Sequence, residues 1–422
     1  MIDKLKKAME IEGYDQIEVY AEKEESINCS VSGDGISSVK NQEGLGIGVR
    51  AIKDNRVGFA YTNSLEDVKY TAKKALKQTN VSQSNLIALP MGNSFPSISN
   101  CDDSLIRSLE ADDLVDEVRG VVSSGKDAVF STGDISATSG QVFLVNSMGI
   151  EQSFSSTYFS GFMKANKGEL SNYWVETSRS KFDVSDVSEK ALELLEASQE
   201  KTSIDSGEYD IVLTPYAQYQ IFSQLLYPAI DAEKVQRGKS ALEGKVDEKF
   251  FSGSLDIVDK GLMDGGINTK PFDREGSPQK NTRIVEEGVL KSFLYDTKRA
   301  ERESRESTGN ASGGYNSTPE VSPTNLYMDG EEASEPDLEG VLVIHNISGA
   351  HTANPVSGDF SLNITTGFIH GKGGREAIDG GMLVGNIFEL LKSHRFFYGE
   401  RRMINSLVSR NAFFEDIKVV SQ

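Results

Sequence analysis

An α+β protein of two parts is predicted: an N-terminal α+β domain over residues 1–205 and a β-rich C-terminal domain over 206–422, with mixed or antiparallel sheets. Three observations predict it. The 422 residues exceed one ordinary domain of roughly 100–200 residues. Short alternating segments recur among 39 glycines, which favours strands and turns. The polar stretch "QEKTSIDSGEYD" (199–210) separates two periodic regions and reads as a linker.

The elements follow in order. "IDKLKKAMEIE" (2–12) has helical amphipathicity with charges throughout. It lacks the apolar run of a signal peptide. "IEVYAEK" (17–23) alternates and predicts a half-buried strand. "AIKDNRVGFAY" (51–61) predicts a hairpin turning at Asp54-Asn55. "SLED" (64–67) resembles a capping box with Ser64 opening a helix through "VKYTAKKALKQ". A polar loop over 81–105, a helix over 110–124, strands within 128–180 around an "NSMG" turn and a helix over 185–198 complete this half. The second half opens with "YDIVLTPYAQYQIFSQLLYP" (209–228): a buried strand, Thr214 as N-cap, Pro215 at the first helical position, and an end or kink at Pro228. "TRIVEEGVLKSFLYD" (282–296) predicts a hairpin with Gly288 in its turn, and 307–323 a long small-residue loop. Strands are expected in 340–349, 359–371 and 413–422, and a helix over 386–397.

Composition narrows function. A net charge of −20 argues against a general nucleic-acid binder, whose affinity comes largely from cations on phosphates. The basic run "HRFFYGERR" (394–402) reads as solvated surface. Two cysteines, Cys29 and Cys101, make no disulfide framework and suit a reducing cytoplasm. No segment approaches the roughly 20 apolar residues of a membrane span, so no membrane partner is expected.

The residues alone declare no catalytic set. H-E-x-x-H, G-x-S-x-G and the phosphate-loop pattern are absent. His345, His351 and His370 share one β-rich region and form a weak metal alternative, with no common ligand spacing. Cys29 on an alternating strand reads as a small buried hydrophobe. "GLGIGVR" (44–50) lies inside a strand pattern, so its glycines point to close packing. Asp273 and Glu275 of "FDREGSP" read as turn-formers before they read as paired carboxylates.

An ordered set of segments nevertheless resembles the TldD/PmbA family, once called modulators of DNA gyrase. They are "GLGIGVRAIKDNRVGFAYTN" (44–63), "PFDREGSPQKNTRIVEEGVLKSFLYDTKRA" (271–300), "STGNA" (307–311), "SPTNLYMDG" (322–330) and "NPVSGDFSL" (354–362). The resemblance implies a choice between two kinds of subunit. The TldD kind carries H-E-x-x-x-H on a helix between a strand and an R-G-[ST]-S-like turn; two His and a late Cys hold zinc, and the Glu is the general base. Here the framing pieces "YDIVL" (209–213) and "QRGKS" (236–240) remain, and matching across them places the two histidine positions at Ser223 and Pro228 and the glutamate position at Gln224. No Cys follows Cys101. The sequence therefore looks like the PmbA or TldE kind. The resemblance implies a subunit without metal ligands, no cofactor of its own, zinc only in a TldD-type partner, and a peptide substrate. A homodimer in isolation, a stand-alone gyrase-modulating protein and an independent peptidase are the alternatives left open.

Overall fold

Alternation along the first strand puts Ile17, Val19, Ala21, Cys29 and Val31 on one side and Glu18 and Tyr20 on the other. In the computed structural model, which describes every residue except 34, 87, 93, 125–127, 335, 372, 373 and 422, both sides are covered. β1 (Gln16–Ser32), β2 (Gly35–Lys53), β3 (Arg56–Thr62), β4 (Val129–Asn146), β5 (Glu151–Lys167) and β6 (Leu170–Ser178) form an antiparallel sheet in the order β3-β2-β1-β4-β5-β6. Helices α1 (Ile2–Leu5) and α2 (Val68–Gln78) cover Ile17, Val19 and Ala21. Helices α3 (Ser104–Ser108), α4 (Ala111–Ser124) and α5 (Val184–Ala197) cover Cys29 and Val31. Tyr20 packs with Leu144, Ile150 and Phe272, the last from the second half of the chain. Glu18 is also buried, so β1 is not the half-buried strand that alternation suggests.

The second half builds a mixed sheet. Its strands are β7 (Lys201–Thr202), β8 (Gly207–Leu213), β9 (Leu255–Lys260), β10 (Asn281–Glu286), β11 (Val289–Leu290), β14 (Leu326–Gly330), β15 (Leu342–Ser348), β16 (Asp359–Gly371), β17 (Gly374–Ile378), β18 (Met382–Asn386), β19 (His394–Ile404) and β20 (Leu407–Val420). The main order is β11-β10-β9-β14-β20-β8-β15-β16-β17-β7; β18 pairs with β16 and β20, and β19 with β20. Between these come the two-residue strands β12 (Ala311–Ser312) and β13 (Glu320–Val321), which pair with each other. The helices here are α6 (Pro215–Ala229), α7 (Ala232–Gln236), α8 (Thr297–Arg302) and α9 (Ile387–Lys392). No described helix is long and apolar enough to cross a membrane.

Helix α6 follows β8 directly. Thr214 caps it by accepting from Ala217 N, and Pro215 stands at its start. Ala217, Ile221, Phe222, Leu225, Leu226 and Ala229 recur at helical spacing and are fully buried in the main core. Gln218 lies inside as well. Its amide donates to Leu213 O and Arg410 O, and its carbonyl accepts from Ser409 Oγ, so the buried polar group is satisfied. The helix closes one residue after Pro228, which has no N–H to offer.

Other expectations needed correction. The first helix shortens to Ile2–Leu5 and continues as a 3-10 turn over Lys6–Glu10. Ser64 makes no side-chain cap; Leu65–Asp67 is a 3-10 turn before α2 begins at Val68. The presumed linker includes β7, which pairs with β17, and the start of β8. The helix at 386–397 ends at Lys392, and "HRFF" opens β19, where His394 and Phe396 pair with Phe414 and Phe413 of β20 across an irregularity at Arg395. The turns at Asp54-Asn55 and Glu287-Gly288 take the positive φ that two-residue hairpins require.

Two predictions test this core. Phe222→Ala and Leu225→Ala should each lower unfolding stability by about 2–5 kcal/mol, read from urea midpoints. His394 is 1 % exposed, with Nδ1 3.0 Å from Ser254 Oγ and its ring against Phe397 and Phe414. Burial pushes its pKa down to about 3 from 6.5. The folded state therefore refuses a proton that the unfolded chain takes up, so this contribution is present above pH 6.5 and is lost as pH falls toward 3. His394→Phe should flatten the decline of stability between about pH 6.5 and 5, by up to about 1.4 kcal/mol per pH unit.

Candidate functional site

The outer face of α6 forms one wall of a cleft about 720 Å³ in volume. Ser223, Tyr227 and Pro228 line that wall. Lys234 and Arg237 come from α7 and its end, Lys298, Arg299 and Arg302 from α8, and residues 318–323 from the loop opposite. The segment 318–323 is anchored at its far side. Thr324 N and Thr324 Oγ1 donate to Asp259, which also accepts from Asn310 Nδ2 at 2.6 Å. Burial raises the Asp259 carboxyl to about 6, with those donors working against the rise.

Beneath the cleft lies a chain of buried charge. Arg50 of β2 donates to Glu18 of β1 at 2.7 Å and to Glu275 at 2.5 Å. Arg274 donates to the other oxygen of Glu18 at 3.1 Å and lies over the Tyr20 ring. Burial opposes the charge on Arg50, but Glu18 and Glu275 outweigh it and raise its pKa. Burial likewise works against the Glu275 carboxylate, while Arg50 and Thr297 N–H hold its pKa below the ordinary value. Glu275 Oε2 accepts from Thr297 N at 2.9 Å, at the first residue of α8. Asp296 caps α8 by accepting from Arg299 N and pairs with the Arg299 guanidinium at 2.6 Å. Burial, then the nearby Glu275, raises Asp296 to about 6. Arg299 also reaches Glu233, which Arg237 joins at 2.6 Å. Two groups of paired charges, joined through the backbone N–H of Thr297, thus lead from the first sheet to the cleft.

The sequence-predicted positions fall in different places. Ser223, Gln224 and Pro228 lie on the outer face of α6, and Gln224 Nε2 points to Ser223 Oγ at 3.5 Å. A hydroxyl, an amide and a pyrrolidine ring do not fit zinc, which takes thiolate, imidazole or carboxylate donors. The three histidines of the metal alternative are not brought together: among the described residues no three His, Cys, Asp or Glu side chains are grouped to hold a metal. The His345 ring lies 5.3 Å from Trp174 at an 11° tilt, and burial, then Arg402 and Arg375, lower its pKa to about 4. His351 sits on the exposed 3-10 turn Ala350–Thr352. His370 lies on β16, its pKa lowered by burial and then by Arg375.

Asp273 is the turn-former expected: one oxygen accepts from Glu275 N and Ser277 N, the other from Ala311 N. Glu275 instead belongs to the ion cluster. Gly46 and Gly48 of "GLGIGVR" serve close packing, since a Cβ on Gly46 would stand 2.0 Å from the Tyr315 ring and one on Gly48 2.3 Å from Tyr315 O, whereas a Cβ on Gly44 would meet nothing within 4 Å. Tyr315 N donates to Glu22 and its hydroxyl accepts from Asn63 Nδ2, pinning the 307–323 loop to the first sheet. The basic run 394–402 is largely paired: Arg395 with Glu415, Arg401 with Asp329 and Arg402 with Glu176. Sequence reading missed Glu18, Arg50, Arg274, Glu233 and Arg299, whose partners are mostly far apart along the chain.

Comparison with known proteins gives a consistent picture. The sequence model of the PmbA/TldA metallopeptidase C-terminal domain matches residues 206–421, and that of PmbA/TldA metallopeptidase domain 1 matches residues 17–79. An uncharacterized protein of Methanocaldococcus jannaschii is 36 % identical over 395 residues, covering 93 % of each chain. A protein named metalloprotease in Methanothermobacter thermautotrophicus is 27 % identical, covering 85 % of this chain and 82 % of its own. The crystal structure of TldE from Thermococcus kodakarensis superposes with a TM-score of 0.88 at 22 % identity, covering 99 % of this chain and 98 % of that one. That likeness establishes the shared fold.

The buried cluster makes a direct prediction. Glu275→Ala leaves buried Arg50 with Glu18 as its one remaining carboxylate and Thr297 N–H without its acceptor, so stability should fall by about 3–5 kcal/mol, the usual cost of breaking a buried pair from one side. Replacing the exposed Glu286, paired with Arg283 on the surface, should cost at most about 1 kcal/mol. Urea midpoints of the two variants check the difference.

Proposed function

The chain belongs to the PmbA/TldD metallopeptidase family, and from that premise we propose that it is the partner subunit without its own metal centre. It pairs with a TldD-type zinc subunit to form a heterodimeric metallopeptidase acting on small or unfolded peptides. The observation that carries the reading is the outer face of α6. It fronts the 720 Å³ cleft, yet Ser223, Gln224 and Pro228 supply none of the donors that zinc prefers. No cysteine later than Cys101 is available as a third ligand. The TldE structural likeness agrees with this reading. A shell held by buried ion pairs is suited to support a neighbouring site, because a site needs a rigid frame around it.

The test is metal content and association. Dialysed chain should hold no stoichiometric zinc and should leave unfolded peptide intact. Co-expressed with an H-E-x-x-x-H chain from the same organism, it should elute as one complex with chelator-sensitive cleavage, its interface burying at least about 1,000 Å². One equivalent of tightly bound zinc in the isolated chain, or elution of the two chains always apart, contradicts the proposal.

A further inference from the structure

The cleft in front of α6 carries more positive charge than its own carboxylates neutralise. Five cations line it: Lys234, Arg237, Lys298, Arg299 and Arg302. Arg237 and Arg299 are committed to Glu233. The other three have no acidic group at ion-pair distance among the described residues. Lys298 Nζ reaches only Ser84 Oγ at 2.7 Å, and Arg302 only the Gln236 amide oxygen at 3.5 Å. Of the three carboxylates lining the cleft, Asp231 caps α7, Glu233 is shared by two arginines, and Glu320 stands exposed on β13. Burial, then Arg299 and Arg302, hold the Lys298 ammonium below its ordinary pKa, so a bound anion would relieve both neighbours. This positive pocket sits in a chain of net charge −20, where a local reversal of sign draws anions selectively.

Size and lining decide what kind of anion. A volume of 720 Å³ lies within the roughly 300–1,000 Å³ of sites that enclose organic ligands, and far exceeds one inorganic anion. Tyr227, Pro228, Pro319, Val321 and Pro323 add an apolar wall to the cationic one. We propose that this cleft binds the carboxylate of a peptide: Lys234, Lys298 and Arg302 hold the anion, and the Tyr227–Pro228 and Pro319–Pro323 walls take neighbouring apolar side chains. The carboxylate is either the C-terminus of the peptide or an acidic side chain. The inference concerns the isolated chain and does not depend on a zinc-bearing partner.

The experiment uses the purified full chain and three N-terminally rhodamine-labelled pentapeptides in a fluorescence-anisotropy titration. One is Ala-Val-Pro-Ala-Leu with a free C-terminus, the second is its C-terminal amide, and the third is the amide with Glu replacing the fourth residue. The free acid or the Glu peptide should bind at least about tenfold tighter than the neutral amide. A preference for the free acid assigns the chain end, and a preference for the Glu amide assigns the side chain. The preference should weaken with salt, as exposed charge attraction does. The double variant Lys234→Ala/Arg302→Ala, together with Lys298→Ala as a second variant, should lose at least about tenfold in affinity. Lys392→Ala, on α9 beside Glu389, should bind as wild type. Unchanged thermal melts certify that each variant is folded. Equal binding of all three peptides, no binding up to about 1 mM, or undiminished binding by folded variants overturns the proposal. Calorimetric binding of inorganic phosphate as tight as that of the best peptide overturns the assignment to peptide.

Discussion

Arg50 lies between Glu18 and Glu275 with a side chain about 5 % exposed, and the contacts that shape the cleft run outward from it. Taking three charges out of water is costly, and mutual attraction offsets that cost only with good geometry. Here the geometry is fixed from both ends. Glu18 and Arg50 sit on neighbouring strands in register. Glu275 is held by a turn whose backbone Asp273 ties down. The second oxygen of Glu275 accepts from the start of α8, and α8 carries three of the five cations of the cleft. The first sheet is therefore a determinant of the cleft although none of its strands lines it.

The 307–323 loop is the second determinant. Its small residues let it run between the first sheet and the cleft, and Gly46 and Gly48 of β2 make room for Tyr315. On either side of Tyr315, Asn310 and Thr324 converge from the two ends of the loop on buried Asp259. A loop of this length without such anchors would be a mobile flap, since few contacts and exposed backbone leave a segment near zero local stability. Anchored at both ends, it becomes a wall. The same arrangement puts proline at 319 and 323 against the α6 face, giving the cleft an apolar side opposite its cations.

Much of the fold was legible because local chemistry decided it. The Asp54-Asn55 turn, the Thr214-Pro215 helix start and the alternation of 359–371 each follow from preferences acting within a few residues. The errors arose where distant partners decided. Glu18 looked solvent-facing because alternation cannot show that the chain's second half covers that face. "HRFF" continued a helical pattern, but the pairing of His394 with Phe414 and Phe396 with Phe413 made it a strand. At the candidate site, residue chemistry alone named no site, and Ser223, Gln224 and Pro228 came into view only through resemblance. The cationic cleft was invisible because Lys234 and Lys298 are 64 positions apart and nothing in one sequence pairs them.

The buried cluster positions α8, and Glu275→Gln tests this with little change in volume. A carboxylate accepts from Arg50 and from Thr297 N–H at once, whereas an amide must turn a donor toward one of them. Amide hydrogen exchange followed by mass spectrometry reads the consequence segment by segment. Protection in α8, over residues 297–302, should fall sharply in the variant while α6, over residues 215–229, keeps its protection. Unchanged protection in α8, or an equal loss in both helices, would contradict a specific link from Arg50 and Glu275 to the wall of the cleft.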